Sequence, residues 1–309
     1  MTEHYELTAT TTHKRLDRWL AEALPKLSRT QLKTLIKDGH VTVNSHPEKA
    51  SYSVLAKDFV TVDVPALQPL SLVPEDIPLD IVYEDDDVLV VNKPQGMVVH
   101  PAAGHPDHTL VNALLFHTKK LANSPEGFRP GIVHRIDKDT SGLLMVAKNA
   151  AAREALEQQL AHKSNERLYV AIVHGNFSEQ SGRVVAPIGR DRVNRKKMAV
   201  VPNGKSAVTH FKVLEQFAGY SLISCRLETG RTHQIRVHLA FIGHPVAGDP
   251  LYGPRKTLPG HGQFLHAQTL GFKHPRTGKV LSFSVNPPQI FQTTLAKLEK
   301  EKDETISDS

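Results

Sequence analysis

G-I-V-H-R-I-D-K-D-T-S-G-L-L-M, residues 131–145, is the stretch on which the fold is read. Ile132 and Val133 close a short buried segment, Thr140, Ser141 and Gly142 mark a turn, and Leu143 to Ala147 resume as an apolar strand. Between the two apolar runs His134, Arg135, Asp137, Lys138 and Asp139 crowd together. A loop held by apolar runs on both sides is fixed by the scaffold yet open to a substrate. Arg135 and Lys138 flank Asp137, and neighbouring cations favour the carboxylate, so Asp137 is expected to be ionised and ready as nucleophile or base. The same spacing also describes a surface ion pair, with Thr140 and Ser141 capping a helix.

Working outward, 309 residues with 39% hydrophobic and 23% charged side chains suit a soluble globular chain of two domains. The net charge of +6 points to a polyanionic partner. One cysteine, Cys225, excludes an internal disulfide and a cysteine-cluster metal site. The N-terminus M-T-E-H-Y-E-L-T has no apolar core for a signal peptide, and no run approaches membrane-spanning length, so a cytoplasmic protein is expected.

Residues 1–12 are polar and expected to be loose. Leu16, Trp19, Leu20 and Ala23 share a helical face that Pro25 stops. Ser28 and Gln31 form a capping box for a second helix, with Leu32, Leu35 and Ile36 apolar and Gly39 ending it. Lys26, Arg29, Lys33 and Lys37 stand three, four and four apart, a cationic stripe suited to phosphates or simply a solvated face. Short strands follow at Val41 to Val43 and Phe59 to Val64. The proline-interrupted stretch Pro65 to Pro78 reads as a linker, which places the domains at 13–75 and 76–300.

Beyond the linker, strands are expected at Ile81 to Tyr83, Val88 to Asn92, Tyr169 to Val173, Ala207 to Leu214, Tyr220 to Leu227 and Val280 to Val285. Helices are expected at Leu110 to His117, Ala150 to His162 and within T-H-Q-I-R-V-H-L-A, and the tail from Glu299 is expected to fray. Strands outnumber helices, so the fold class is α+β: a catalytic domain with a largely antiparallel mixed sheet flanked by helices, plus a small N-terminal α/β domain.

Two further constellations stand beside Asp137. Tyr169 opens a strand after Arg167-Leu168, and a tyrosine ring is a flat partner on which a base can stack, although a core aromatic at a strand start is the commoner case. Arg231 follows a strand-ending glycine in L-E-T-G-R-T-H-Q-I-R-V-H-L, where a guanidinium could hold Asp137 ionised. The eighteen histidines do not make a metal site: His100, His105 and His108 share a loop, and His233 and His238 are five apart, a poor spacing for one helical face. No Walker loop, dinucleotide fingerprint or nucleophile elbow is present.

These residues carry a family resemblance. H-R-I-D-K-D-T-S-G-L-L (134–144) resembles the catalytic motif of the RluA family of pseudouridine synthases. R-L-Y-V-A-I-V-H-G (167–175) resembles its tyrosine motif, L-E-T-G-R-T-H-Q-I-R-V-H (227–238) its arginine motif, and D-V-L-V-V-N-K-P-Q-G-M-V-V-H-P (87–101) its first strand motif. R-L-D-R-W-L (15–20) with S-R-T-Q-L and G-H-V-T-V-N is similar to an S4 RNA-binding domain. Ile136 replaces the family's more usual Leu, and apolar Leu168 stands where a polar residue often precedes the tyrosine.

The resemblance implies isomerisation of uridine to pseudouridine without cofactor or metal. It implies Asp137 as the catalytic carboxylate, Tyr169 stacking on the target, Arg231 paired with Asp137, Arg135 filling the space of the flipped base, and His134 and Ile235 lining the substrate site. RNA backbone would be held by Arg190, Arg192, Arg195, Lys196 and Lys197, and in the S4 domain by Arg15, Arg18, Arg29, Lys33 and Lys37. Family members closest in these motifs act on a stem-loop of 23S ribosomal RNA, while sisters act on other rRNA uridines or on tRNA. The expected partner is therefore 23S rRNA in a pre-50S or 50S particle, with a monomeric enzyme and no membrane. A non-catalytic RNA-binding assembly factor is the alternative in another class, and a metal-dependent nuclease a third. The first would tolerate loss of Asp137, Tyr169 or Arg231, and all three are present.

Overall fold

The computed structural model describes residues 3–64, 72–102, 104–123, 129–195 and 197–307. The chain divides into two compact units, Met1–Ser71 and Leu72–Ser309. The first contains β1 (Glu3–Thr8), α1 (Leu16–Ala23), α2 (Arg29–Lys37), β2 (Val41–Val43), β3 (His46–Pro47) and β4 (Phe59–Val64). Its antiparallel sheet runs β1-β4-β2-β3. Leu16 and Leu20 of α1 and Leu32 and Ile36 of α2 are each four apart, so each pair shares a face. They bury against Val41, Val43, Val60 and Val62 from alternate strand positions. Both halves of the Ser28/Gln31 capping box form, and Gly39 supplies the positive φ (80°) that turns the chain out of α2.

Two expectations change here. The N-terminal segment is not loose over residues 3–8: β1 pairs along its whole length with β4, because Tyr5 and Leu7 alternate onto the core. The linker is shorter than its prolines suggest. Residues 65–71 lie outside the described residues, but from 72 onward the chain is tied to the second unit. Glu75 N–H donates to Asn112 O at 3.0 Å, and Asn112 Nδ2 donates to Val73 O at 2.8 Å.

The second unit contains β5 (Asp80–Glu84), β6 (Val88–Lys93), α3 (Leu110–His117), β7 (Ser141–Ala147), α4 (Ala150–Ala161), β8 (Glu166–His174), β9 (Ser181–Val185), β10 (Ile188–Arg190), β11 (Met198–Val200), β12 (Val208–Phe217), β13 (Tyr220–Leu227), α5 (Gln234–Phe241), β14 (Leu265–Lys273), β15 (Val280–Ser284) and α6 (Gln289–Ser307). The main sheet runs β5-β6-β7-β14-β8-β13-β12-β9, with β15 on β14, while β10 and β11 form a separate hairpin. It is antiparallel except where β7 pairs parallel with β14. Gly142 opens that seam at φ 111°, and a Cβ there would collide with the Ala267 backbone.

Both faces of the sheet are covered, which explains unbroken apolar runs such as V-L-V-V and L-L-M-V-A. Leu89, Val91, Leu144, Val146, Ala171 and Val173 face a core shared with Leu114 of α3 and Ile235 and Leu239 of α5. Val88, Val90, Leu143 and Met145 face the other way, toward Ala152 and Leu156 of α4. The tail is not frayed up to residue 307. Phe291, Leu295 and Leu298 give α6 an apolar stripe on Ile172 and Phe217, and this packing outweighs the polar composition after Glu299. β9 and β14 escaped the sequence reading: L-H-A-Q-T-L-G-F-K shows no clean alternation, because its partners on both sides and faces come from the tertiary fold.

Candidate active site

Asp137 lies in the loop that enters β7, and the loop is pinned from behind. Lys93, wholly buried at the end of β6, donates to Pro94 O at 2.7 Å, Met97 O at 2.8 Å and Lys138 O at 3.0 Å. Its three ammonium donors meet three carbonyls. Burial pulls Lys93 down to about 7, against the pull of Asp139 and Asp137 upward. Gly96 N–H also donates to Lys138 O, and Thr140 N–H closes a turn onto Asp137 O. The Asp137 backbone is thus fixed while its side chain, 16% exposed, reaches a cavity of about 360 Å³.

The guanidinium that holds Asp137 comes from α5. Arg236 Nη1 donates to Asp137 Oδ2 at 2.9 Å, while its Nε and Nη2 bind the buried Asp249 at 2.7 and 2.9 Å. Burial opposes the charge on Arg236, but the bonds from Asp249 and Asp137 outweigh it and raise its pKa. Asp249 Oδ1 also accepts the N–H groups of Leu251 and Tyr252, so a turn rigidly presents this carboxylate. Tyr252 lies under the guanidinium, 5.1 Å from ring centre to Cζ. Its hydroxyl accepts from Met198 N–H, which leaves its proton for His233 Nδ1 at 2.8 Å. That assigns the neutral His233 proton to Nε2, 3.9 Å from Asp137 Oδ1. Burial lowers the His233 pKa, in keeping with a neutral ring. His233 is held at φ 56°, a left-handed conformation a non-glycine residue adopts at a cost.

The expected Arg231–Asp137 pair is therefore corrected. Gln234 Oε1 accepts from Arg231 N–H and Thr229 Oγ1, pinning the turn before α5. The exposed Arg231 side chain is directed to Ser206 O, which accepts from Nε at 3.0 Å. Arg236, on the inward face of the helix, takes the carboxylate. A guanidinium between Ile235 and Val237, in an otherwise apolar turn, was the available signal in the sequence. Asp249 had no such signal.

The cavity is also lined by Tyr169 and Arg167 of β8, His134 and Ile235. Burial keeps the Tyr169 phenol neutral by raising its pKa. Met145 N–H donates to His134 Nε2 at 3.1 Å, and burial pulls His134 down to about 3. Arg135 is exposed at the rim, where Nη1 donates to His100 Nε2 at 3.3 Å.

A second cavity, of about 440 Å³, adjoins the first through Gly230, Arg231 and Thr232, and Arg190 and Lys205 line its far side. The basic loop closes the β10–β11 hairpin. Arg190 Nη1 donates to Arg195 O, Asp191 Oδ1 accepts from Val193 and Asn194 N–H, and Lys197 lies over Tyr252. Arg192 and Arg195 are exposed, while Lys196 lies outside the described residues.

In the first unit the cationic stripe is partly neutralised. Fully buried Asp17 accepts from Arg15 and Arg29, each at 2.9 Å, and Lys33 lies 3.5 Å away. Burial would raise the Asp17 pKa, but the two arginine bonds win and lower it. Arg18, Lys26 and Lys37 are exposed.

Asp85, Asp87 and His274 are the one group among the described residues close enough to share a metal ion. Each already has an internal partner: Tyr83 and His274 on Asp85, and Arg276 on Asp87 through two bonds of 2.7 Å. The trio fastens two turns together.

An arginine-held carboxylate in a cavity also lined by Arg135, Arg167 and Arg231 is a site suited to a polyanionic substrate. The sequence matches the family of RNA pseudouridylate synthases over residues 87–241 and the S4 domain over residues 14–60. An uncharacterized RNA pseudouridine synthase of Bacillus subtilis is 54% identical, covering 93% of this chain and 95% of that one. A ribosomal large subunit pseudouridine synthase D of Zymomonas mobilis is 50% identical, covering 94% and 96%. The solved structure of human RNA pseudouridylate synthase domain containing 1 superposes with a TM-score of 0.57 at 28% identity, covering 69% of this chain and 85% of that one. The chain belongs to the RNA pseudouridylate synthase family.

Proposed function

We propose that this chain isomerises uridine to pseudouridine in large-subunit ribosomal RNA, with Asp137 as the catalytic carboxylate. The observation that carries the reading is the division of labour on that side chain. Arg236 holds Oδ2, Oδ1 lies 3.9 Å from His233 Nε2, and Asp137 lines the cavity. The reaction breaks the N1–C1′ bond and joins C5 to C1′; C5 loses a proton and N1 gains one. Oδ1 is placed either to attack C1′ or to take a proton from C2′. Deuterium at C2′ separates these routes, since only the second gives a primary isotope effect.

A base inside a stem must leave its stack to reach this cavity, at a cost of a few kcal/mol. Tyr169 would stack on the flipped uracil, Ile235 would pack beside it, and Arg135 would leave His100 to occupy the vacated place in the stem. His134 would line the pocket. Arg231, Arg190, Arg192, Arg195, Lys196 and Lys197 would follow the backbone leading in, with Arg15, Arg18, Arg29, Lys33 and Lys37 of the S4 unit holding a further segment. The large-subunit target is supported by the name of the Zymomonas relative, and the motifs favour a 23S stem-loop in a pre-50S or 50S particle. A monomer in the cytoplasm suffices for this reaction. Among the described residues no helix is long and apolar enough to cross a membrane.

The test is pseudouridine mapping of 23S rRNA from cells lacking this protein, complemented with wild type or Asp137→Asn. Modifications that return only with wild type bear the reading out. Full modification without the protein would move the target to tRNA or another RNA. Equal rescue of a growth defect by both forms would favour an assembly factor.

A further inference from the structure

The cavity holds a cation that the isomerisation does not account for. The Arg167 side chain belongs to a residue only 8% exposed, and it lines the cavity with Asp137 and Tyr169. Its Nε is buried without a hydrogen-bond partner, and no ion pair reaches its guanidinium among the described residues. A buried donor without an acceptor is costly, and Nε is the one guanidinium nitrogen so placed, the other two remaining accessible along the cavity lining. Here the surroundings make room for it: a Cβ at Gly230 would stand 2.9 Å from Arg167 Nη1. Asp137, the acid on the cavity wall, is already engaged by Arg236.

A second unmatched donor lies on the same cavity lining. His134 Nε2 takes the Met145 N–H, so the neutral ring carries its proton on Nδ1, and Nδ1 is buried without a partner. That nitrogen is shut off from solvent, so the group open to a ligand is the Arg167 guanidinium, a cation without an acceptor. Uridine itself offers neutral carbonyls and hydroxyls, which satisfy a donor but not a charge. A phosphodiester satisfies both, and a guanidinium can meet it with paired bonds.

We propose that Arg167 is the seat of a backbone phosphate of the target nucleotide. The assignment rests on the uridine-isomerising reading of the cavity. Its geometry follows from β8: residues 167 and 169 are two apart and both buried, so they project from one face about 6.6 Å apart. A ring stacked on Tyr169 and a phosphate on Arg167 would then fix the ribose between them, before Asp137. Arg167 is in this sense a positioning residue, acting through the phosphate.

The probe is uridine 3′,5′-bisphosphate against uridine, titrated by NMR into the full-length protein. Wild type is expected to prefer the bisphosphate by about tenfold or more, the scale of a charge-assisted hydrogen-bonded pair. Arg167→Gln should reduce that preference to about twofold, and Arg167→Lys should restore part of it. Without ligand, Arg167→Gln should melt at or near the wild-type temperature, since no ion pair or hydrogen bond among the described residues is lost. A preference unchanged in Arg167→Gln, or equal binding of both probes by wild type, would overturn the proposal. So would a fall in melting temperature with unaltered binding, which marks a structural arginine. Failure of the isomerase reading is seen elsewhere, in pseudouridine maps that stay the same when the protein is absent.

Discussion

Arg236 stands 2.9 Å from Asp137 and gives that carboxylate one nitrogen, because Asp249 has claimed the other two. The buried Arg236–Asp249 pair is thus a fixed strut, and Asp137 is the group at its open end. A cation held in this way keeps one oxygen of Asp137 occupied and aims the other, without a side chain that must reorganise during reaction.

Replacing Asp249 with Asn should loosen that strut while leaving substrate contacts alone. We expect kcat to fall by about tenfold to a hundredfold with KM little changed, as for loss of a supporting partner. Single-turnover kinetics on the target stem-loop would check this. A raised KM at constant kcat would assign Asp249 to binding.

The two arginines of the same motif should separate. Arg236→Gln leaves Asp249 buried without a cation, so it should lose both activity and about 3–5 kcal/mol of stability. Arg231→Gln lies on an exposed side chain and should fold normally, with weaker RNA binding and a shallower salt dependence. Melting curves and binding isotherms on both variants decide the matter. A catalytically dead, fully stable Arg231→Gln with normal affinity would return that arginine to the reacting groups.

The contrast between these arginines also shows where sequence reading ended. Strands buried on both faces announce themselves as continuous apolar runs, so β6 and β7 were legible, and a capping box and turns set the start of α2 and both ends of β13. The catalytic loop was legible because charge is dense between two such runs. Which of Arg231 and Arg236 turns inward depends on the phase of α5, which Gln234 sets through bonds to Thr229 and Arg231. Asp249 is no more than a turn residue until Arg236 is placed against it. Lys93 carries no signal of its own in the sequence, since its enclosure is complete only when Lys138 O, 45 residues on, meets the local carbonyls of Pro94 and Met97.

In the S4 unit, the cations should contribute unequally. Asp17 offsets part of the charge of Arg15, Arg29 and Lys33, whereas Arg18 and Lys37 project into solvent without an ion pair among the described residues. Lys37→Gln and Arg18→Gln should each reduce the slope of log affinity against log salt by about 0.7–0.9, with Lys33→Gln doing less. Equal slopes for wild type and the Lys37→Gln, Arg18→Gln double variant would remove that face from the RNA interface.

Lys93 gives the fold a pH dependence whose sign can be worked out. Burial lowers its pKa from 10.5 to about 7, so between those values the unfolded chain holds a proton that the folded chain has released. Stability then rises with pH across that window, by at most about 1.4 kcal/mol per unit for this one group. Lys93→Met should be less stable than wild type, because Pro94 O and Met97 O lose their donor while Lys138 O keeps that of Gly96, at about 1–3 kcal/mol for each carbonyl left buried and unmatched. It should also lack this upward slope. Urea midpoints at pH 7 and pH 9 for both proteins measure the difference. If the two change in parallel, the three carbonyls hold the Lys93 proton well above pH 9, and the ammonium rather than the amine pins the Asp137 loop throughout.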